Sequence, residues 1–224
     1  MKSNRIDLAG FLPGKPFVLS WALLASAGCA TAPVEGPARG DLLFTNYCAP
    51  CHGEGAAGDH LIGAPAIAGL PEWYLLEQLH KYRTGLRGAH RDDVEGLRMR
   101  PMSRTLMSES DVQLVAAHVA GMSTGRAAPS LEGADQANGA KLFVTCTACH
   151  GPDAAGNEQL HAPPLTVQQD WYLDRQLHKF KAGVRGANPK DTFGMQMRPM
   201  AQTLPDDQAI KDVVAHIQTL GQSK

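Results

Sequence analysis

Apolar positions along this chain recur at helical spacing and not in alternation. Leu42, Leu43 and Phe44 form one short cluster. Tyr74, Leu75, Gln78, Leu79 and Tyr82 then follow three and four residues apart, which predicts an amphipathic helix from Glu72 to Thr84. Val112, Val115 and Ala116 mark the inner face of another helix, begun near Ser108 and stopped at Gly121. Gly-, Pro- and Ala-rich stretches such as Gly63-Ala64-Pro65 separate these segments. No segment shows the period-two pattern of a half-buried strand, so the expected fold class is all-α.

The pattern then repeats. Cys48-Ala49-Pro50-Cys51-His52 returns 98 positions later as Cys146-Thr147-Ala148-Cys149-His150. The same offset carries Trp73-Tyr74 onto Trp171-Tyr172 and Gln78-Leu79-His80-Lys81 onto Gln176-Leu177-His178-Lys179. It also carries Arg87-Gly88-Ala89 onto Arg185-Gly186-Ala187 and Met99-Arg100-Pro101-Met102 onto Met197-Arg198-Pro199-Met200. Leu106, Ala117 and His118 fall on Leu204, Ala215 and His216, while Phe44 meets Phe143 with a one-residue slip. An internal repeat of this length means two like domains: residues 39–122 and 138–222, joined by a Gly/Ala/Ser/Pro-rich linker over 123–137. In each copy a Gly/Arg-rich loop is expected to carry the methionines. The second copy closes with a helix begun at Pro205-Asp206 and ended by Gly221.

The leading segment follows different rules. Lys2, Arg5 and Lys15 precede an apolar run from Phe17 to Gly28. A helix of that length rises about 18 Å, short of the ~30 Å hydrocarbon core, so it reads as a signal peptide over residues 1–28. Ser26-Ala27-Gly28-Cys29 resembles a bacterial lipoprotein cleavage box, although Ser26 stands where a large aliphatic residue is usual. Cys29 is then the lipidated first mature residue, followed by a tether over 29–38. Cleavage after Ala27 by an ordinary signal peptidase is the alternative. Both imply export to the periplasm, with membrane association possible through Cys29.

Composition removes several function classes. The 21 Lys and Arg balance 22 Asp and Glu, so the basic excess of a nucleic-acid binder is missing. The 23 glycines and 15 prolines make the chain turn-rich, yet 43% apolar content suffices for a core. Five cysteines are too few for a disulfide scaffold.

Four of them lie in the two Cys-x-x-Cys-His segments, the attachment signature of c-type haem. Two thiols three residues apart share one face of a helical turn and can each add to a vinyl group, while the adjacent imidazole reaches the iron from the same side. A zinc site is disfavoured because Cys51 and Cys146 are 95 positions apart, and a thioredoxin-type pair lacks its βαβ setting. Two covalent haem c groups are therefore expected, on Cys48, Cys51 and His52 and on Cys146, Cys149 and His150. Each also supplies a core to a domain of marginal size. For the sixth iron ligand the residues offer Met99 or Met102 in the first copy, and Met195, Met197 or Met200 in the second.

With CxxCHG, a Pro about thirteen residues on, a W/Y-Y-L-x-x-Q-L helix, an M-x-x-M segment and a closing V-A/V-A-H helix all present twice, the chain resembles the di-haem class I cytochromes c of the c-four type. It is also similar to the haem domains attached to some bacterial oxidases. The resemblance implies two tandem class I domains, with Met99 and Met197 as axial ligands and Met102 and Met200 against the haem edge. It further implies that Pro65 and Pro163 carbonyls accept the ring N–H of His52 and His150, and that the domains face each other about a pseudo-twofold axis. His118 and His216 replace a more usual Tyr. They are expected to pack against the Phe44 and Phe143 helices, not to ligate, and His80 and His178 are read likewise. Arg87, Arg185, Arg100 and Arg198 are candidates for pairing with propionates. His60, His90 and His161 are read as surface residues.

The function so implied is a periplasmic carrier of single electrons and not an enzyme. Its donor would be a quinol-oxidising complex or dehydrogenase and its acceptor a terminal oxidase. Two alternatives stand beside it: an electron-transfer subunit of a larger dehydrogenase or oxidase complex, and a di-haem peroxidase.

Overall fold

The computed structural model describes residues 35–123, 125 and 128–221. The leader, Cys29 and most of the tether lie outside the described residues. Among the described residues the structure is helical, and the only β-type pairings are isolated bridges between Asp59 and Ala64 and between Asn157 and Ala162. The first domain runs α1 (Pro37–Leu43), a π-helical turn (Phe44–Cys48), α2 (Ala49–His52), α3 (Glu72–Thr84), α4 (Val94–Arg104) and α5 (Glu109–Ala120). The second repeats it as α6 (Gln136–Phe143), α7 (Thr147–His150), α8 (Asp170–Lys181), α9 (Thr192–Gln202) and α10 (Asp207–Leu220). No helix among the described residues is long and apolar enough to cross a membrane.

Each start has a local cause. Pro37, preset to helical φ, opens α1 inside the stretch read as tether. Asp135 opens α6 inside the stretch read as linker, accepting from the amides of Ala137 and Asn138. Ser108 and Asp206 cap α5 and α10 in the same way. Earlier in the linker, Ser130 and Leu131 donate to the buried Asp170 carboxylate at the start of α8. That segment therefore lies along the second domain.

In each domain the first helix crosses the last at a glycine. A Cβ on Gly40 would stand 2.4 Å from the Leu114 carbonyl oxygen, and one on Gly139 would stand 1.9 Å from that of Asp212. Hydrogen removes that obstacle, and Phe44 and Phe143 are thereby driven into the cores formed by Val112, Val115 and Val119 and by Ile210, Val213 and Ile217. The one-residue slip in the repeat also finds its place. Cys48 follows Phe44 by four positions, whereas Cys146 follows Phe143 by three. The extra residue is absorbed by the wider π-turn of the first copy, so the cysteines keep the same relation to the core.

One expectation is corrected. The methionines do not ride on a loop: Met99 and Met102 lie on α4, and Met195, Met197 and Met200 on α9. Asp93 and Asp191 nucleate these helices by accepting from the amides of Gly96 and Gly194. Pro101 and Pro199 then lie within them. The Gly and Arg content that suggested a loop serves close packing instead: Gly96 and Gly194 lie so near Gly88 and Gly186 that no Cβ fits between.

Candidate functional site

Each Cys-x-x-Cys-His segment is one short helical turn closed by a glycine with φ 78°, Gly53 or Gly151. Residues with a Cβ rarely adopt that conformation, and it turns the chain back under the histidine. His52 and His150 are both buried. Their Nδ1 atoms lie 2.7 Å and 2.9 Å from the carbonyl oxygens of Pro65 and Pro163. A carbonyl can only accept, so Nδ1 carries the proton and Nε2 keeps its lone pair for a metal. Burial lowers the basicity of both rings more than those hydrogen bonds restore it, which favours the neutral imidazole.

The first cysteine of each pair is half-buried and the second exposed. Burial pushes the Cys48 and Cys146 thiols up to about 11. That is the reverse of the depressed thiol of a redox-active CxxC pair. Among the described residues no three His, Cys, Asp or Glu side chains gather to hold a bare metal ion.

Around each histidine opens an apolar cavity. The first, about 560 Å³, is lined by Cys48, Cys51, His52, Pro65, Met99 and Met102, with Arg87 in its wall. The second, about 120 Å³, is lined by Cys146, His150, Pro163, Met197 and Met200, with Arg185 in its wall. Met195 is exposed and is not part of that lining. The second is narrower where Phe180, Phe193 and His161 stand at the positions of Tyr82, Glu95 and Gly63 in the first. Its methionines, unbranched, with Met197 half-buried and Met200 exposed, are the part of the wall able to yield.

This donor set fits the porphyrin that the motif implies. Thiols, an imidazole and thioethers line one apolar cavity in each domain, and a cationic side chain stands in its wall for carboxylates. The buried Nε of Arg87 has no hydrogen-bond partner, and the same holds for Nε of Arg100 and Arg198.

The arginines also reveal what sequence reasoning missed. Arg87 donates to Gln78 at 2.8 Å, to Tyr172 at 2.8 Å and to Gln176 at 3.1 Å. Arg185 donates to Gln176 at 2.8 Å, Gln78 at 3.3 Å and Tyr74 at 3.5 Å. Each reaches its own domain and the other, so the two cavities face one another across α3 and α8. Burial alone would raise the Tyr172 phenol, but the two guanidinium groups beside it bring it below its usual value. Lys81 likewise reaches Asp191 at 2.7 Å, and Lys179 reaches Asp93 at 2.5 Å.

His118 and His216 lie with ring centroids 5.5 Å from Phe44 and Phe143, on the far helix pair. His80 and His178 sit beside Glu109 and Asp207, and His90 beside Asp92. His60 and His161 are exposed, yet both serve the domain contact. His60 lies 4.8 Å from the Trp171 ring, and His161 stacks 3.8 Å from Phe193 and bonds Glu77 at 2.8 Å. Neither matches across the copies, so the repeat gave no signal for them.

The cytochrome c family model matches this chain twice, over residues 37–123 and 136–221. The thiosulfate dehydrogenase electron acceptor of Thiomonas intermedia is 31% identical over 188 residues, covering 76% of this chain and 74% of that one. The Cbb3-type cytochrome c oxidase subunit FixP of Bradyrhizobium diazoefficiens is 30% identical over 73% of this chain, which spans 59% of that subunit. Among solved structures, reduced recombinant cytochrome c4 from Pseudomonas stutzeri superposes with a TM-score of 0.62 at 28% identity. That match covers 83% of this chain and 98% of that one.

Proposed function

The chain belongs to the cytochrome c family as a di-haem electron carrier, and we propose that each of its irons is held between a histidine and a methionine and so passes electrons without binding substrate. His52 and Met99 form the first pair, His150 and Met197 the second. Cys48 and Cys51, with Cys146 and Cys149, carry the thioether links. The observation that carries the reading is the repeated tie of a buried imidazole to a proline carbonyl, with two thioethers in the same cavity wall.

A haem bound there supplies a one-electron iron couple, whose potential a methionine ligand raises. The chain's own part is positional. Pro65 and Pro163 fix the tautomer and strengthen the imidazole as a ligand. The apolar walls would keep water from the ring, and Arg87 and Arg185 at the domain junction would supply charge for its carboxylates. A haem held by both members of each His–Met pair would leave no open site for a small molecule, which sets this reading against a peroxidase.

Export by residues 1–28, lipidation at Cys29 and a place in the periplasm complete the proposal. The kinship with a thiosulfate dehydrogenase electron acceptor and with an oxidase subunit favours a dehydrogenase donor and a terminal oxidase acceptor. The same kinship keeps a second reading in view, that of a bound subunit serving another chain's chemistry.

An optical redox titration of purified protein tests the core of this. Two one-electron waves and near-infrared bands from thioether-bound ferric iron are expected, with two porphyrin adducts by mass. Rapid carbon monoxide binding to either reduced iron, or turnover of hydrogen peroxide, would overturn the carrier reading. Purification with and without detergent separates lipidated from free protein.

A further inference from the structure

The methionine helices are held from outside their own domains. At the start of α4, Asp93 is 3% exposed and accepts from the Gly96 amide. The same oxygen accepts from the Lys179 ammonium, 2.5 Å away on α8 of the second domain. At the start of α9, Asp191 is equally buried and accepts from the Gly194 amide and from Lys81 on α3 of the first domain. These pairs are related by the 98-residue repeat, so the arrangement occurs twice with opposite direction.

Beyond that shared element the copies diverge. Lys179 also reaches Glu95 at 2.5 Å, and Arg175 of the same domain reaches it at 3.1 Å. Burial works against ionising Glu95, but the Lys179 ammonium bonded to it prevails and holds its carboxyl below the usual range. In the second copy Phe193 stands at this position, and Lys81 turns its remaining bond to Glu77 of its own helix.

The histidine side shows the same bias. Gln169 of the second domain accepts from the Ala66 amide at 2.8 Å and donates to the Ala57 carbonyl at 2.7 Å. Gln168 donates to the Ala66 carbonyl at 3.1 Å. These bonds clamp the loop that presents Pro65 to His52. No reciprocal grip is possible at the matching residue, because Pro164 has no N–H, and Leu70 and Pro71 occupy the places of the two glutamines.

We propose that Lys179 and Gln169 of the second domain are positioning residues for the methionine and histidine ligands of the first iron, while the first domain positions the methionine of the second iron through Lys81 and meets the Pro163 loop through Glu77 at the exposed His161 side chain, not at its backbone. The inference rests on the axial pairs assigned above. It makes the first centre conditional on the presence of the second, and more so than the reverse.

The test uses the full holoprotein and begins by assigning the signals. Met99→His and Met197→His each replace one thioether, and each should remove one near-infrared band and lower one redox wave. If neither does, the axial assignment fails, independently of the present proposal.

With the waves assigned, Lys179→Met and Asp93→Asn separate positioning from simple charge. Asn still caps α4 but gives Lys179 no charge to hold. If the bridge positions the methionine helix, both variants weaken the first band and shift the first wave down, with the second unchanged. If the bridge acts only as a field, loss of a positive and loss of a negative charge move the first wave in opposite directions with the band intact, and the proposal fails.

Lys81→Met should weaken the second band alone, and Gln169→Leu should disturb the first wave alone. Effects on the wrong wave, or on neither in protein carrying both haems, would also overturn it. Lys179→Arg, which keeps the charge, should restore most of the first band.

Discussion

In the first domain the loop backbone and the methionine helix around the iron site are both gripped by side chains of its neighbour, whereas in the second the neighbour grips the helix and meets the loop at the exposed His161 side chain. Yet the two are built from one pattern of helices, caps and glycines, so the asymmetry comes from a few exchanges. Ala66 against Pro164 decides whether a backbone N–H is offered. Glu95 against Phe193 decides whether the methionine helix carries a second anionic anchor or an aromatic ring for His161 to stack on. Gly63 against His161 follows suit: a Cβ on Gly63 would strike Arg175 at 2.6 Å and Glu95 at 2.8 Å, the pair that replaces the stack. A duplicated domain thus becomes two unlike sites by substitutions at the seam while its cores stay alike.

The harshest way to break the comparison is to remove one haem at a time. Each domain is small and its apolar cavity lies in the middle of its core, so little burial remains without the ring. Cys48→Ala with Cys51→Ala should abolish cooperative unfolding of the first domain, and Cys146→Ala with Cys149→Ala that of the second. Far-UV circular dichroism and mass analysis follow both. Loss of the second haem should also broaden the first domain's melting, because the first leans on side chains of α8. Loss of the first should spare the second more.

The next largest effect lies at the junction. Arg87→Leu takes the donor from the buried Tyr172 phenol and leaves the Gln78 and Gln176 oxygens to Arg185 alone, at a total of about 1–3 kcal/mol. Arg185 is less buried and its cross-domain bonds are longer, so Arg185→Leu should cost clearly less by chemical denaturation. Equal costs would mean that the difference in geometry has no energetic weight.

This junction marks the limit of what the sequence could tell. The all-helical class, the span of α3 and the helix starts near Ser108 and Asp206 were legible because each depends on local spacing, while the histidine–proline ties were expected from the family resemblance alone. The methionine helices were misread as loops, because Gly, Arg and Pro carry a loop signal while the cap at Asp93 and the packing at Gly96 are tertiary facts. The arginine cluster and the lysine bridges were out of reach. A repeated Lys or Arg looks like a solvated charge until the partner domain is placed beside it.

At the outer helix crossings the domains should differ by degree. Gly139→Ala brings a Cβ closer to the opposing carbonyl than Gly40→Ala does, 1.9 Å against 2.4 Å. Both should destabilise by about 1–3 kcal/mol through forced separation of the helices, with Gly139→Ala the worse. Thermal unfolding of each variant, followed at the assigned haem, orders them.

The smallest expected effect concerns the two histidines on the last helices. His216 packs on Phe143, and burial lowers its affinity for a proton. A histidine that protonates less readily folded than unfolded contributes stability above the unfolded value near 6.5. That contribution is lost as pH falls from there through the folded value. The second domain should therefore lose stability with a visible slope just below pH 6.5, and His216→Phe should flatten it. In the first domain, Asp41 lies 3.7 Å from Nε2 of His118, and the matching residue beside His216 is Ala140. Ala140→Asp transplants that carboxylate. A carboxylate at this distance favours the charged ring by about 0.2–1 kcal/mol at a partly exposed site, so the acid slope should shrink without altering stability at pH 8. A slope that persists in both variants would place its origin in groups other than His216.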